Sequence, residues 1–370
     1  MRGETPGDFT IHLVLEEVAS GKEIASDEVL ISLKPIEQFY AMMTADTFLI
    51  ANDAAYQSAS STPERYGEMR PMPGKKISNF SDGSKVLVFV HGFNVPEDDA
   101  RNWFSESYKR LFWSGYKDDF VGIHWNGADG DIYFGEPGLH FNTNIEHAFQ
   151  TGGLLASWLP NSLLQNHTVN IVSHSAGTVA TLEALRLIYE TAPQTKKILN
   201  LITMESATFT NIFSPSLGDF DHISHNGWFN HSLNMVSGIY ENFYSANDQT
   251  INLTLHANEN FGFSKLFGHE SSFIIRLLLE STDRTAYGVA SRIPGIHSSG
   301  DEEGLCIIPH ETMGLGEAPV IGHINVNCEH PGFGINDGGR NLISGSHSFM
   351  RETNYYETYL LFREIVRVTQ

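Results

Sequence analysis

Apolar runs alternate along this chain with segments of helical spacing, and the alternation predicts the elements of an α/β protein. Two strands are predicted at 9–15 and 28–34, where β-branched and aromatic residues flank a polar segment. Residues 54–84 are rich in Ser, Pro and Gly and predict a connecting stretch. The hydrophobic pattern of the sequence changes at Lys85. Residues 86–90 form a continuous apolar run, which is typical of a strand buried on both faces of a parallel sheet.

Beyond this strand, helices and strands are predicted in turn. Further strands are predicted at 120–125, 168–173, 198–203, 239–245 and 324–328. Helices are predicted from Pro96 onward, near 145–159, across 179–188, and at the C-terminal end, where one face carries Tyr355, Tyr359, Phe362 and Val366. Such alternation implies right-handed crossovers and a mostly parallel central sheet covered by helices on both faces. The functional loops of such a sheet lie at the carboxyl ends of its strands.

Composition and charge narrow the class of protein. The chain has 370 residues, of which 41% are hydrophobic and 18% charged, so a full globular core is expected. Its net charge of −21 argues against a nucleic-acid partner. No apolar run approaches the roughly 18 residues of a spanning helix. No secretory signal is visible, so the default expectation is a cytoplasmic protein without a membrane span.

The five residues Ser173-His174-Ser175-Ala176-Gly177 are the first candidate for chemistry. They lie between a predicted strand and a predicted helix, the context in which a G-x-S-x-G turn lifts a serine hydroxyl above the sheet edge. Ser173 stands where that pattern has its first Gly, and Gly177 is retained. Ser175 is therefore the predicted nucleophile, and the alternative is an ordinary serine at a helix N-terminus.

A second motif, His91-Gly92-Phe93-Asn94, ends the earlier strand at 86–90. Acyl transfer requires two backbone N–H donors that face the developing oxyanion. Ala176, which follows the nucleophile, would supply one donor, and Phe93 in the loop after the earlier strand would supply the other. The alternative is that His-Gly only makes a tight turn.

Three segments together resemble the α/β-hydrolase superfamily, and more narrowly a mostly bacterial branch of α/β hydrolases of unknown function. These segments are Val-His-Gly-Phe-Asn (90–94), Ser-His-Ser-Ala-Gly (173–177) and Tyr-Ser-Ala-Asn-Asp (244–248). The resemblance covers roughly residues 85–255 and the C-terminal end.

The resemblance implies an α/β-hydrolase domain over 85–370 with a lid-like or accessory insertion at about 256–340. Residues 1–84 then form an N-terminal β-rich extension and connector. Aromatic residues of the insertion are expected either to line an acyl-chain site or to pack the core of the insertion itself.

A serine nucleophile needs a base, and the base needs an orienting carboxylate. In this fold the chain order is serine, then acid, then histidine. Asp248, after the strand at 239–245, is the acid that the resemblance implies. Glu205, after the preceding strand, is the alternative, because some lipase-like relatives carry the acid one strand earlier.

Several later histidines compete for the role of base: His256, His269, His297, His310, His323, His330 and His347. The resemblance places the base on a loop between the last strand and the C-terminal helix. His347 lies on a Gly-Ser-rich segment there and is preferred, and His330 is the second choice. His91 and His174 adjoin the two motifs and are expected to be framework residues.

No cofactor or metal is expected. Cys306, His310, His323, Cys328 and His330 include metal-ligand types, but their spacings are not those of a common zinc module. The two cysteines are expected either to be free thiols or, in an exported protein, to form one bridge.

The predicted function is hydrolysis of a small-molecule carboxylic ester. Ser175 would attack the acyl carbonyl while His347 takes its proton, and water would then hydrolyse the acyl-enzyme with the same base. The same triad would serve a serine peptidase or amidase, and a third class is a non-catalytic binding protein on this scaffold. The acidic net charge predicts a preference for neutral or cationic esters.

Overall fold

A computed structural model describes the parts of the chain that carry most of the predicted elements. The described residues are 7–47, 67–93, 95–127, 138–208, 229, 231–244, 324–327 and 356–370.

An eight-stranded sheet forms the centre of the described structure. Its strands are β3 (Ala41–Thr47), β4 (Gly67–Pro71), β5 (Lys85–Val90), β6 (Asp119–Trp125), β7 (Thr168–His174), β8 (Leu201–Met204), β9 (Tyr240–Tyr244) and β10 (Ile324–Asn327). They lie in the order β10-β9-β8-β7-β5-β6-β3-β4. All neighbouring pairs are parallel except β3 and β4, which are antiparallel. The prediction of a mostly parallel sheet is confirmed.

The predicted N-terminal strand pair is a separate antiparallel hairpin of β1 (Gly7–Glu16) and β2 (Glu23–Leu33). The sequence did not predict β3 and β4, although both lie within the part assigned to extension and connector. β3 nevertheless pairs with β6 in the central sheet. Its sequence, Ala-Met-Met-Thr-Ala-Asp-Thr, contains few β-branched or aromatic residues, so it lacks the usual composition of a strand.

Within the described residues, four α-helices cover the sheet: α1 (Glu97–Trp113), α2 (Gly138–Leu159), α3 (Gly177–Thr191) and α4 (Tyr356–Thr369). Helices α2 and α3 pack on one face and α1 and α4 on the other. Strand β5 shows why its sequence is apolar throughout, because Val86, Val88 and Val90 enter one core while Leu87 and Phe89 enter the opposite core. Helices therefore cover both faces, as predicted.

The connection between β7 and α3 positions the candidate site. Strand β7 ends at His174 and α3 begins at Gly177, so Ser175 and Ala176 make the whole turn. β7 lies between β5 and β8, and all three strands run in the same direction. The loops that follow these three strands consequently meet at one edge of the sheet.

Candidate active site

Ser175 has a left-handed backbone conformation with φ of 52°. Its N–H donates to the Met204 carbonyl at 2.9 Å, and its own carbonyl accepts from the N–H groups of Thr178 at 3.0 Å and Ala207 at 3.2 Å. A non-glycine residue in this region carries roughly 1–3 kcal/mol of strain and persists only where its surroundings hold it. Here the hydrogen bonds to β8 and to the segment after it hold the strained turn.

The loop after β5 touches this turn at Gly92. A Cβ atom added to Gly92 would lie 2.7 Å from Ser175 Cβ and 2.8 Å from His174 Nδ1, distances that only glycine avoids. A Cβ atom on Gly177 would similarly lie 2.3 Å from the His91 carbonyl oxygen. The two motifs found separately in the sequence are therefore in direct contact.

This contact brings together three of the five predicted site residues. Phe93 directly follows Gly92 and is half-buried, while Ala176 directly follows Ser175 and is buried. Their peptide groups adjoin the two residues that touch, and their role as N–H donors to an oxyanion stays a prediction. Asn94, the last residue of the loop motif, lies outside the described residues.

Hydrogen bonds and ring stacking fix the side chain of His91 at the start of the loop after β5. Its Nδ1–H donates to the Gly92 carbonyl at 2.7 Å, and its Nε2 accepts from the Trp125 backbone N–H at 3.3 Å. The Trp125 indole stacks on the His91 ring at 5.7 Å and donates to the His91 carbonyl at 2.7 Å. Burial, with a contribution from nearby His124, lowers the pKa of His91 to about 3. The ring is therefore neutral at ordinary pH and acts as a framework residue.

A buried pair of polar side chains lies next to the turn at Ser175. His174 Nε2 is 3.2 Å from Glu205 Oε2, and both side chains are almost completely buried. Glu205 directly follows β8, has φ of 45°, and donates its N–H to the Phe243 carbonyl at 2.9 Å. The Trp103 ring packs edge-on against His174 at 5.0 Å. Glu205, the alternative acid of the sequence prediction, thus contacts the residue that precedes Ser175.

The pairing of His174 with Glu205 was missed from the sequence, although a signal for it exists. His174 is the last residue of one buried parallel strand and Glu205 comes directly after the next strand along the chain. Because the carboxyl ends of neighbouring parallel strands meet, these two polar side chains could have been expected to lie close together.

The predicted acid and base, Asp248 and His347, lie outside the described residues. The strands that lead to them are described. Asp248 follows β9, and His347 follows β10, which pairs in parallel with β9. The described ends of β9 and β10 therefore lie at the same edge of the sheet as Ser175. The triad stays a prediction, as does the choice between His347 and His330.

Among the residues that the structure describes, no group of three or more His, Cys, Asp or Glu could hold a metal ion. The candidate zinc ligands between Cys306 and His330 lie outside these residues. In the same described ranges, no helix has the length and apolar character needed to cross a membrane.

Comparison with known proteins gives a weak structural likeness. No protein-family model matches this chain, and no curated protein matches its sequence. Among solved structures, the chain is similar to esterase B from Lactobacillus Rhamnosis (HN001), with 14% sequence identity and a TM-score of 0.26. The match covers 58% of this chain and 80% of the esterase. The case for a function therefore rests on the geometry around Ser175.

Proposed function

We propose that this protein is a serine hydrolase of the α/β-hydrolase fold that cleaves carboxylic esters through an acyl-enzyme intermediate. Ser175 is the nucleophile, His347 the general base, and Asp248 the carboxylate that orients the base. The N–H groups of Phe93 and Ala176 stabilise the oxyanion. The substrate is a small neutral or cationic ester, and no metal or cofactor takes part.

The observation that carries the proposal is the left-handed conformation of Ser175 in a turn pressed against Gly92. A serine that only began a helix would need neither the strain nor the contact with a second loop. A strained serine at the carboxyl edge of a parallel sheet, beside a glycine that precedes a candidate N–H donor, is the geometry that acyl transfer requires.

In the proposed reaction, His347 removes the Ser175 hydroxyl proton as the oxygen attacks the acyl carbonyl. The negative charge on the carbonyl oxygen is held by the two N–H donors, and loss of either donor would cost about 10²–10³ in kcat. His347 then protonates the leaving alkoxide. In the second half, the same base activates a water molecule that releases the acid and restores Ser175.

A fluorophosphonate probe tests the nucleophile, because it reacts only with an activated serine. Wild-type protein should form one adduct, mapped to the peptide that contains Ser175, and Ser175→Ala should form none. The matched control is Ser232→Ala, which removes another buried serine whose hydroxyl donates to the Leu182 carbonyl. That variant should label like the wild type. An undiminished adduct in Ser175→Ala, or no adduct on the wild type, would exclude the proposal.

The substrate class is tested separately with a panel of aryl esters of increasing acyl length beside the corresponding aryl amides. Ester hydrolysis with little amide hydrolysis supports the proposal. Comparable rates on amides would instead assign the same nucleophile to a peptidase or amidase. If the protein reacts with the fluorophosphonate probe but hydrolyses none of the esters or amides, Ser175 is an activated serine and the ester-hydrolase function is excluded.

A further inference from the structure

Two neighbouring strands of the central sheet are each followed by a residue with a left-handed backbone. Ser175 follows β7 with φ of 52°, and Glu205 follows β8 with φ of 45°. Within the described residues, these are the two non-glycine residues whose φ is positive. Strain of this kind collects at functional sites and persists where the surrounding structure holds it. The reaction proposed above gives a role to the turn at Ser175 and leaves the turn at Glu205 without one.

The side chain of His174 connects Glu205 to the loop after β5. Its Nε2 lies 3.2 Å from Glu205 Oε2. Its Nδ1 would lie 2.8 Å from a Cβ atom added to Gly92, so the ring packs against the backbone of that glycine. On a third side, the Trp103 ring of α1 lies edge-on with 5.0 Å between the ring centroids. The His174 ring is therefore enclosed by three different elements, and close packing leaves it few other positions.

The hydrogen bond between Glu205 and His174 fixes the ring within this enclosure. A carboxylate accepts hydrogen bonds and does not donate them, so His174 Nε2–H is the donor. The His174 side chain is 2% exposed and the Glu205 side chain 1% exposed. Because a buried carboxylate is costly when it loses a donor, a shift of the ring away from Glu205 is strongly opposed.

The segment after β8 holds the turn at Ser175 by its backbone as well. Glu205 is anchored to β9, since its N–H donates to the Phe243 carbonyl at 2.9 Å. Two residues later, the Ala207 N–H donates to the Ser175 carbonyl at 3.2 Å. One short segment thus contacts the turn at Ser175 directly and the loop at Gly92 through the His174 ring.

We infer that Glu205 and His174 are a positioning pair that sets the distance between the two oxyanion donors. This inference rests on the proposed function, in which the N–H groups of Phe93 and Ala176 hold the oxyanion. Phe93 follows the glycine that the His174 ring contacts, and Ala176 follows Ser175. Both members of the pair are too deeply buried to contact an ester, so they act through the backbone of the two loops.

An aryl ester and its thionoester analogue, in which sulfur replaces the carbonyl oxygen, test the inference. Sulfur accepts hydrogen bonds weakly, so the N–H donors accelerate the ester more than the thionoester. His174→Leu keeps much of the side-chain volume but removes the donor to Glu205. Its kcat for the ester should fall about tenfold to a hundredfold with KM within about threefold, because a small displacement of one donor weakens only the transition state. Its kcat for the thionoester should stay within about threefold.

The ratio of the two rates is the decisive quantity, because both are measured on one sample and an unfolded fraction cancels. His174→Gln restores a side-chain N–H for Glu205 and should return the ratio to within about threefold of wild type. His167→Leu is the matched control. His167 directly precedes β7 at its opposite end, is 5% exposed, and its Nδ1 lies 3.2 Å from Ser84 Oγ. This variant should lose stability and keep the wild-type ratio.

A double variant tests whether the two residues act as one unit. Glu205→Ala should lower the ratio as His174→Leu does, and the double variant should do no worse than either single variant. A wild-type ratio in His174→Leu, an equal fall in His167→Leu, or additive losses in the double variant would overturn the inference and leave the proposed esterase in place. Wild-type protein that hydrolyses neither substrate would remove the proposed function and this inference with it.

Discussion

Gly92 is the residue at which the loop after β5 meets the turn at Ser175. Because its added Cβ would fall 2.7 Å from Ser175 Cβ, Gly92→Ala must displace one loop from the other. We expect this variant to lose about 1–3 kcal/mol in free energy of unfolding. Its labelling rate with the fluorophosphonate probe should fall about a hundredfold, because a misplacement near 1 Å is enough for such a loss.

Gly153 on α2 offers the matched control for Gly92. A Cβ atom there would meet nothing within 4 Å. Gly153→Ala should therefore label at the wild-type rate and gain about 0.5–1 kcal/mol in stability, because alanine is the better helix former. Equal labelling by Gly92→Ala and Gly153→Ala would contradict the role assigned to the Gly92 contact.

Two substitutions of Glu205 distinguish whether Glu205 or Asp248 is the triad acid. If Asp248 is the triad acid, Glu205→Gln keeps an oxygen that accepts from His174 and should retain kcat within about threefold, while Glu205→Ala should lose about 1–3 kcal/mol of stability. If Glu205 is the acid, Glu205→Gln should lower kcat by about 10⁴ with the fold intact. Urea unfolding and ester turnover, measured beside Asp248→Asn, distinguish the two.

At the scale of elements, β9 carries a carboxyl group beneath α4. Glu241 is completely buried, and its nearest described cation is Arg367, with 3.9 Å between Nη2 and Oε1. Burial raises the pKa of Glu241 to about 7 from an ordinary 4.5, and the Glu364 carboxylate adds to the rise while Arg367 opposes it. The folded protein therefore holds a proton that the unfolded chain releases between pH 4.5 and 7.

Stability should consequently fall as pH rises through this window. The contribution of Glu241 is fully present below about pH 4.5 and is lost above about pH 7, a change of about 3 kcal/mol at most. Glu241→Gln should match the wild type near pH 5 and be more stable at pH 8, as measured by urea unfolding at both pH values. Glu68→Gln, whose side chain is 69% exposed on β4, should keep the wild-type pH dependence. A wild-type slope that survives in Glu241→Gln would argue against this assignment.

Strand β5 was predictable because burial on both faces imposes a continuous apolar run. The helix after β5 was predictable from Pro96 and the acidic first turn that follows it. By contrast, β3 is recognisable as a strand only through its pairing with β4 and β6. The contact between Gly92 and Ser175 depends on β5 lying beside β7, which is a property of strand order and not of either motif.

For the molecule as a whole, the net charge of −21 creates a field that would act on the proposed ester substrate before it binds. We expect kcat/KM for a neutral ester to exceed that for its carboxylated analogue about tenfold at low salt, with the gap narrowing as salt screens the field. Steady-state kinetics on the matched pair of esters measures this. Comparable rates at low salt would mean that the edge around Ser175 is locally less acidic than the rest of the protein.

The backbone of Ser175 also bears on how this chain evolves. Glycine adopts φ of 52° without strain, so a change from serine to glycine at this position would make the protein more stable while removing the proposed nucleophile. Selection for stability alone would therefore favour glycine over serine at this position. Keeping a serine there requires selection for what its hydroxyl does.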